Sequence, residues 1–153
     1  MEDLTVTRFL FWFHTGLVVA GFAGLIVAAG AAILYLLQSS QLKSRHPGKI
    51  SLELPSLERL DRIHFESLSL GVVLFSLGIV VGLLWAKKLS RMNELAGDPR
   101  VILSFFTAAL YWGIWAVRFS ALRRGQKIAA GTVLIFILLL LTFLSPHRGI
   151  YFS

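Results

Sequence analysis

Few side chains in this sequence could do chemistry, and they lie between its apolar runs or at their ends. Of the four histidines, His14 lies early in the first apolar run and His147 follows the last. The polar segment Lys87–Arg100 separates the second and third runs and contains Arg91 and Arg100. Imidazoles bind metal ions and guanidinium groups bind carboxylates. A chemical site, if there is one, should lie where these four residues share a membrane face.

Several classes of chemistry are disfavoured. With no cysteine, the chain has no disulfide, no thiolate metal site and no thiol nucleophile. The eight acidic residues form no pair inside an apolar run, and Ser104 and Thr107 have no base nearby. A channel or transporter is disfavoured because no span carries a buried charge or a broken half-helix pair. We therefore expect a protein that is not an enzyme.

Composition indicates an all-α, polytopic membrane protein. Mean hydropathy is +0.75 and 56% of residues are hydrophobic, whereas a soluble domain is roughly half apolar and less hydrophobic on average. At 1.5 Å per residue, the first run exceeds a hydrocarbon core of about 30 Å, so its helix must tilt or project. We predict one transmembrane domain over residues 1–153, with spans at about 9–38, 66–86, 101–117 and 128–144.

A short amphipathic helix is predicted before the second span. Pro55 and Ser56 precede Leu57 and Glu58, which is typical of a helix start with Ser56 as the N-cap. We place this helix on the cytoplasmic side, leading into the second span.

Small residues recur on two spans. They are Gly16, Ala20, Gly24, Ala28 and Ala32 on the first, and the Gly78–Gly82 GxxxG on the second. Such rows allow close helix packing. A cofactor groove along the first row is the alternative.

The distribution of basic residues predicts the topology. On one side fall Lys43, Arg45, Lys49, Arg59, Arg62, Arg118, Arg123, Arg124 and Lys127; on the other fall Arg8, Lys87, Lys88, Arg91, Arg100 and Arg148. The positive-inside rule assigns the first group to the cytoplasm, which gives an N-out, C-out chain. His14, the 87–100 segment and His147 would then share the outer face.

The net charge of +7 has a membrane explanation. Basic residues cluster at helix ends, where they set topology and meet anionic headgroups. No polar segment carries a basic stripe with a stacking platform, so we expect the lipid bilayer as a partner and no nucleic acid.

Several motifs resemble one family. They are His14 early in a span, LYLLQ at 34–38, LPSLE-x-LD at 54–61, a span closing in Gly82–Ala86, and Asp98-Pro99-Arg100. The chain resembles the membrane domain of the cytochrome c assembly family, which includes HemX-type proteins. In this family a tryptophan-rich outer loop presents haem, and the 87–100 segment occupies that position.

The resemblance implies specific roles. His14 and His147 would be axial ligands of haem iron, and Arg91 and Arg100 would contact its propionates. The loop departs from the pattern, because its tryptophan positions hold Arg91, Leu95 and Gly97. The family's membrane histidine is replaced by Ala116.

Two functions follow from the resemblance. The first is non-enzymatic haem handling, or an accessory role in cytochrome c or haem biogenesis, in a bacterial-type cytoplasmic membrane with membrane-protein partners. The second is a structural membrane subunit of a larger respiratory or redox complex that has lost haem binding. In that case there would be no cofactor.

Overall fold

A computed structural model describes residues 2–43, 55–90, 97–121 and 125–144. Within these residues the chain is all-helical, and four helices alternate in direction. They are α1 (Glu2–Lys43), α2 (Leu57–Lys88), α3 (Pro99–Ala121) and α4 (Gln126–Leu144). The starts of α1 and α3 therefore lie at one end of the bundle, with the ends of α2 and α4. We call this the His14 end and the opposite one the Asp61 end.

Helices α1 and α2 pack backbone to backbone. A methyl group on Gly24 would lie 2.9 Å from the Gly71 Cα, and one on Gly78 would lie 2.7 Å from Val18 Cγ2. Only glycine permits this approach, because real Cβ contacts are not that short. The prediction that small residues serve helix packing is confirmed for Gly24 and for Gly78.

The predicted row of small residues on α1 is wrong at its beginning. Gly16 and Ala20 are exposed, and a Cβ at Gly16 would meet nothing within 4 Å. Ala28 and Ala32 are fully buried. The contact face therefore follows the second half of the row, where α1 meets α2 and α4.

The core is a cluster of buried apolar side chains at the middle of the bundle. All four helices contribute to it, through Leu25, Ala28, Leu68, Val72, Phe75, Ala108, Tyr111, Ile135 and Leu139. Large apolar side chains also cover the outside, for example Leu134 at 67% exposure. An apolar exterior around an apolar core is expected where the solvent is lipid.

Three of the described helices, α1, α2 and α3, are long and apolar enough to cross a membrane. In the fourth, the apolar stretch Gln126–Leu141 is shorter. Helix α4 packs against α1 and α3.

The expectation of a separate short helix before the second span is wrong. Ser56 does cap a helix start, with its Oγ accepting from the Arg59 amide at 3.3 Å. That helix then continues without a break to Lys88. The amphipathic segment forms the first two turns of α2, because Leu60 and His64 bury against the other helices as the apolar residues after them do.

Candidate functional site

His14 is held in one orientation by the backbone of α2. Its Nδ1 lies 2.7 Å from the carbonyl oxygen of Gly78. A carbonyl oxygen only accepts, so Nδ1 carries the proton and donates. In the neutral ring, Nε2 then keeps its lone pair. Among the described residues, Nε2 has no hydrogen-bond partner. A ring nitrogen fixed to a backbone carbonyl is the usual support for a histidine whose other nitrogen binds a metal.

Gly82 makes room for this ring. A Cβ built on Gly82 would lie 2.8 Å from His14 Cε1 and 2.9 Å from Nδ1. Gly78 and Gly82 are one helical turn apart on α2. One supplies the carbonyl that holds the imidazole, and the other supplies the space that it fills. The GxxxG pair therefore positions His14 besides packing two helices.

The ring lines a cavity of about 280 Å³ at the His14 end. Its polar lining comes from His14, Trp85, Arg100 and Ser104, and its apolar lining includes Phe75, Ile79 and Phe105. The volume is at the lower limit for small-molecule sites, which hold about 300–1,000 Å³. Three helices converge here, and each brings at least one polar group.

Arg100 reaches the cavity because α3 starts beside it. Asp98 Oδ1 accepts from the Arg100 amide at 2.9 Å, and the Asp98 carbonyl accepts from Val101 and Ile102. Pro99 occupies the first helical position, where its missing N–H removes no helix bond. The Asp98-Pro99-Arg100 motif is thus a helix start that places a guanidinium at the cavity.

Trp85 contributes a buried donor to the cavity lining. Its Nε1 has no hydrogen-bond partner among the described residues, and its ring lines the cavity. The ring also packs on Phe11, with centroids 5.4 Å apart. A buried N–H without an acceptor is unfavourable by about 1–3 kcal/mol. A bound ligand with an acceptor group would relieve it.

The structure brings two of the four predicted site residues to one cavity, His14 and Arg100. Arg91 and His147 lie outside the described residues. Within the described ranges, no group of three or more His, Cys, Asp or Glu could hold a metal ion. Among the described residues, this cavity therefore offers one imidazole and one guanidinium.

The opposite end of the bundle carries a polar network. The Arg118 guanidinium on α3 donates to the Asp61 carboxylate on α2, and both side chains are nearly buried. Arg118 also stacks over Phe65, 5.5 Å from the ring centroid. The argument that no span carries a buried charge is therefore wrong, because this pair lies inside two apolar helices.

A second histidine belongs to this network. Thr132 donates its only hydroxyl proton to the Ile128 carbonyl at 3.1 Å, so it accepts from His64 Nε2–H at 3.0 Å. Nearby, the Gln126 side chain accepts from Lys43 and donates to Ser39, each at 2.8 Å. His64 is 3% exposed. Its Nε2 is engaged and enclosed, so it is unsuitable as a ligand.

The pairing of Asp61 with Arg118 could have been predicted from the sequence. Asp61 belongs to the LPSLE-x-LD block, and Arg118 lies in a segment that reads as a basic turn. A buried charge in an apolar helix needs a partner. Placing Asp61 and Arg118 inside helices would have required them to pair.

Sequence comparison adds an independent finding. The family described as Cytochrome C assembly protein matches residues 6–148. A curated protein named Protein HemX, from Brevibacillus brevis, is 31% identical over 132 residues. That alignment covers 86% of this chain and 48% of the relative, so the chain spans about half the length of the relative it matches. No solved structure matches the chain.

Proposed function

Because this chain belongs to the cytochrome c assembly protein family, we propose that it binds haem without covalent attachment at the His14 end and acts in cytochrome c or haem biogenesis. The observation that carries the proposal is the pairing of His14 with Arg100 in one cavity. One supplies a nitrogen for iron, and the other supplies a cation for a carboxylate.

Three features of the cavity fit haem. The His14 ring is held by the hydrogen bond from its Nδ1 to Gly78, and its Nε2 has no hydrogen-bond partner among the described residues. The buried Trp85 Nε1 and the Arg100 guanidinium are donors, and haem presents carboxylates. The apolar wall that includes Phe75 and Phe105 suits a porphyrin edge. The cavity has a volume of about 280 Å³, and Phe11 packs on Trp85 beside it.

Each residue then has a defined task. His14 would provide a nitrogen ligand for the iron, with its ring held by Gly78 and Gly82. Arg100 would pair with a propionate. When bound, haem would supply redox chemistry. A further iron ligand from His147 remains a prediction, as does a propionate contact for Arg91.

We also infer four spans with N-out, C-out topology in a bacterial-type cytoplasmic membrane. The basic residues that favour this orientation include Lys43, Arg118 and Lys127 at the Asp61 end. The chain contains no cysteine, so single Lys87→Cys and Arg59→Cys variants can be labelled without a background signal. In intact cells an impermeant thiol reagent should label the first and spare the second. The reverse pattern would contradict the topology.

We propose a non-enzymatic role with membrane-protein partners. The polar side chains at the His14 end include an imidazole and a guanidinium, which suit the binding of a cofactor. Partners would be other components of a cytochrome assembly or respiratory complex. A purely structural subunit is the competing function, but no contact or comparison favours it.

The test is the reduced-minus-oxidised absorption spectrum of the detergent-purified protein. Haem bands should be present in the wild-type protein and should be lost in the His14→Ala/His147→Ala double variant. Arg62→Ala, an exposed change on α2, is the matched control and should keep the bands. Haem-free wild-type protein that co-purifies with stoichiometric partners would contradict haem binding and favour the structural subunit.

A further inference from the structure

A second cavity lies between α3 and α4, at the Asp61 end. It has a volume of about 700 Å³ and opens to the outside of the bundle. Its walls are apolar or small, including Leu110, Gly113, Ile114 and Ile135. Among the described residues that line it, only Gln126 and Lys127, at the start of α4, are polar. None of these described lining residues also lines the His14 cavity.

We propose that this groove binds one anionic phospholipid, with an acyl chain along the groove and the headgroup phosphate at Lys127. The ligand class follows from the distribution of charge. The groove wall is apolar along its length, and its cation lies at one end. An amphiphile with a hydrocarbon tail and an anionic head has the same distribution.

The length of the groove favours a lipid over a helix. Its wall on α3 runs from Ala109 to Val117, and its wall on α4 runs from Gln126 to Ile135. At 1.5 Å per residue these correspond to about 12 and 14 Å. Half of a hydrocarbon core of about 30 Å is about 15 Å. The groove therefore extends through one leaflet, as an acyl chain does, whereas a partner helix would need the full depth.

Charge at this end favours an anionic headgroup. Lys127 is exposed, and it has no ion-pair partner among the described residues. The acidic side chain buried here, Asp61, is already bonded to Arg118. In the sequence, Arg123 and Arg124 lie between α3 and α4. Basic pockets between membrane helices are established sites for anionic headgroups.

The experiment uses the full chain in detergent and measures lipid retention by native mass spectrometry. Phosphatidylglycerol and phosphatidylcholine with identical acyl chains are added in equal amounts. The wild-type protein should retain one phosphatidylglycerol in preference. Lys127→Gln should lower that preference about five-fold, since a Lys near anionic lipid contributes on the order of 1 kcal/mol. Lys87→Gln, an exposed lysine at the His14 end, is the matched control and should change nothing.

A groove-filling variant tests the tail. A Cβ on Gly113 would meet nothing within 4 Å, so Gly113→Leu projects into the groove without a clash. It should lower the retention of both lipids. The lipid that is still retained should keep the wild-type preference for phosphatidylglycerol. Equal losses in Lys127→Gln and Lys87→Gln would overturn the proposal. So would unchanged retention in Gly113→Leu, displacement of the lipid by inorganic phosphate, or a second protein chain bound at the groove. None of these outcomes depends on whether haem binds.

Discussion

The two ends of the bundle use the same residue type in opposite ways. At the Asp61 end, His64 donates to Thr132 and is 3% exposed. At the His14 end, His14 donates to a backbone carbonyl through Nδ1, and its Nε2 has no hydrogen-bond partner among the described residues. One histidine completes a hydrogen-bond network, and the other is oriented by one ring nitrogen beside a cavity.

The difference extends to the surrounding charges and donors. Arg118 is paired with Asp61 and stacked over Phe65, whereas the Trp85 Nε1 at the other end is buried without a hydrogen-bond partner among the described residues. Polar groups bonded between helices hold the Asp61 end together, although the Gln38 Oε1 there is also buried without a partner among the described residues. What distinguishes the His14 end is a donor that lacks an acceptor beside a cavity, where a ligand can supply one. This contrast accords with the proposal that the Asp61 end maintains the fold and the His14 end binds haem.

The largest expected effect is on the ion pair. Arg118→Leu leaves the Asp61 carboxylate buried without its counter-ion and should reduce the free energy of unfolding by about 3–5 kcal/mol. Thermal or denaturant unfolding in detergent measures it. Arg62→Leu, an exposed neighbour on α2, is the control and should stay near wild type. Equal effects for the two variants would show that the pair does not stabilise the bundle.

A smaller effect is expected where one acceptor is removed. Thr132→Val leaves the His64 Nε2–H without an acceptor in a dry core, which should destabilise the protein by about 1–3 kcal/mol. By contrast, His14→Ala removes a single hydrogen bond from a half-buried ring and should lower stability by about 1 kcal/mol. Parallel unfolding curves compare the two. If His14→Ala were the more damaging change, the division of roles between the ends would be wrong.

The smallest effect on stability is expected at Gly82. The methyl group of Gly82→Ala would overlap the His14 ring, which can move aside, and alanine favours a helix by about 1 kcal/mol over glycine. The free energy of unfolding should therefore change by less than about 1 kcal/mol, while the His14–Gly78 bond is lost. Haem uptake, measured by titration, should fall.

Gly16→Ala is the control, because it has open space around it and should bind haem as the wild type does. Equal haem uptake by the Gly82→Ala and Gly16→Ala variants would count against a positioning role for Gly82.

Much of the fold could be predicted from the pattern of the sequence. Hydropathy located all four helices, and Pro55 and Ser56 marked the start of α2. The continuity of α2 was missed, because the polar residues before position 65 suggested a separate amphipathic helix. In the bundle, these polar residues face either the polar network around Asp61 or the outside. Since one helix can change its surroundings along its length without a break, periodicity alone cannot locate a boundary.

The candidate site was only partly predictable. The resemblance pointed to His14 and Arg100, and the structure brings both to one cavity. The roles of Gly78, Gly82 and Trp85 depend on how α1 docks on α2, across 64 residues of sequence between His14 and Gly78. The pairing of Asp61 with Arg118 spans 57 residues. Such contacts are set by packing, which the spacing of residues along the chain does not encode.

The most direct test of the central claim is rescue of the His14→Gly variant by imidazole. Removing the side chain should abolish or strongly reduce the haem absorption bands and leave a space next to Gly82. Added imidazole should enter that space, bind the iron and restore the wild-type spectrum, while a molecule of similar size without a ligating nitrogen should not. A His14→Gly protein whose haem spectrum equals that of the wild type, before any imidazole is added, would show that His14 is not an axial ligand and would contradict the account.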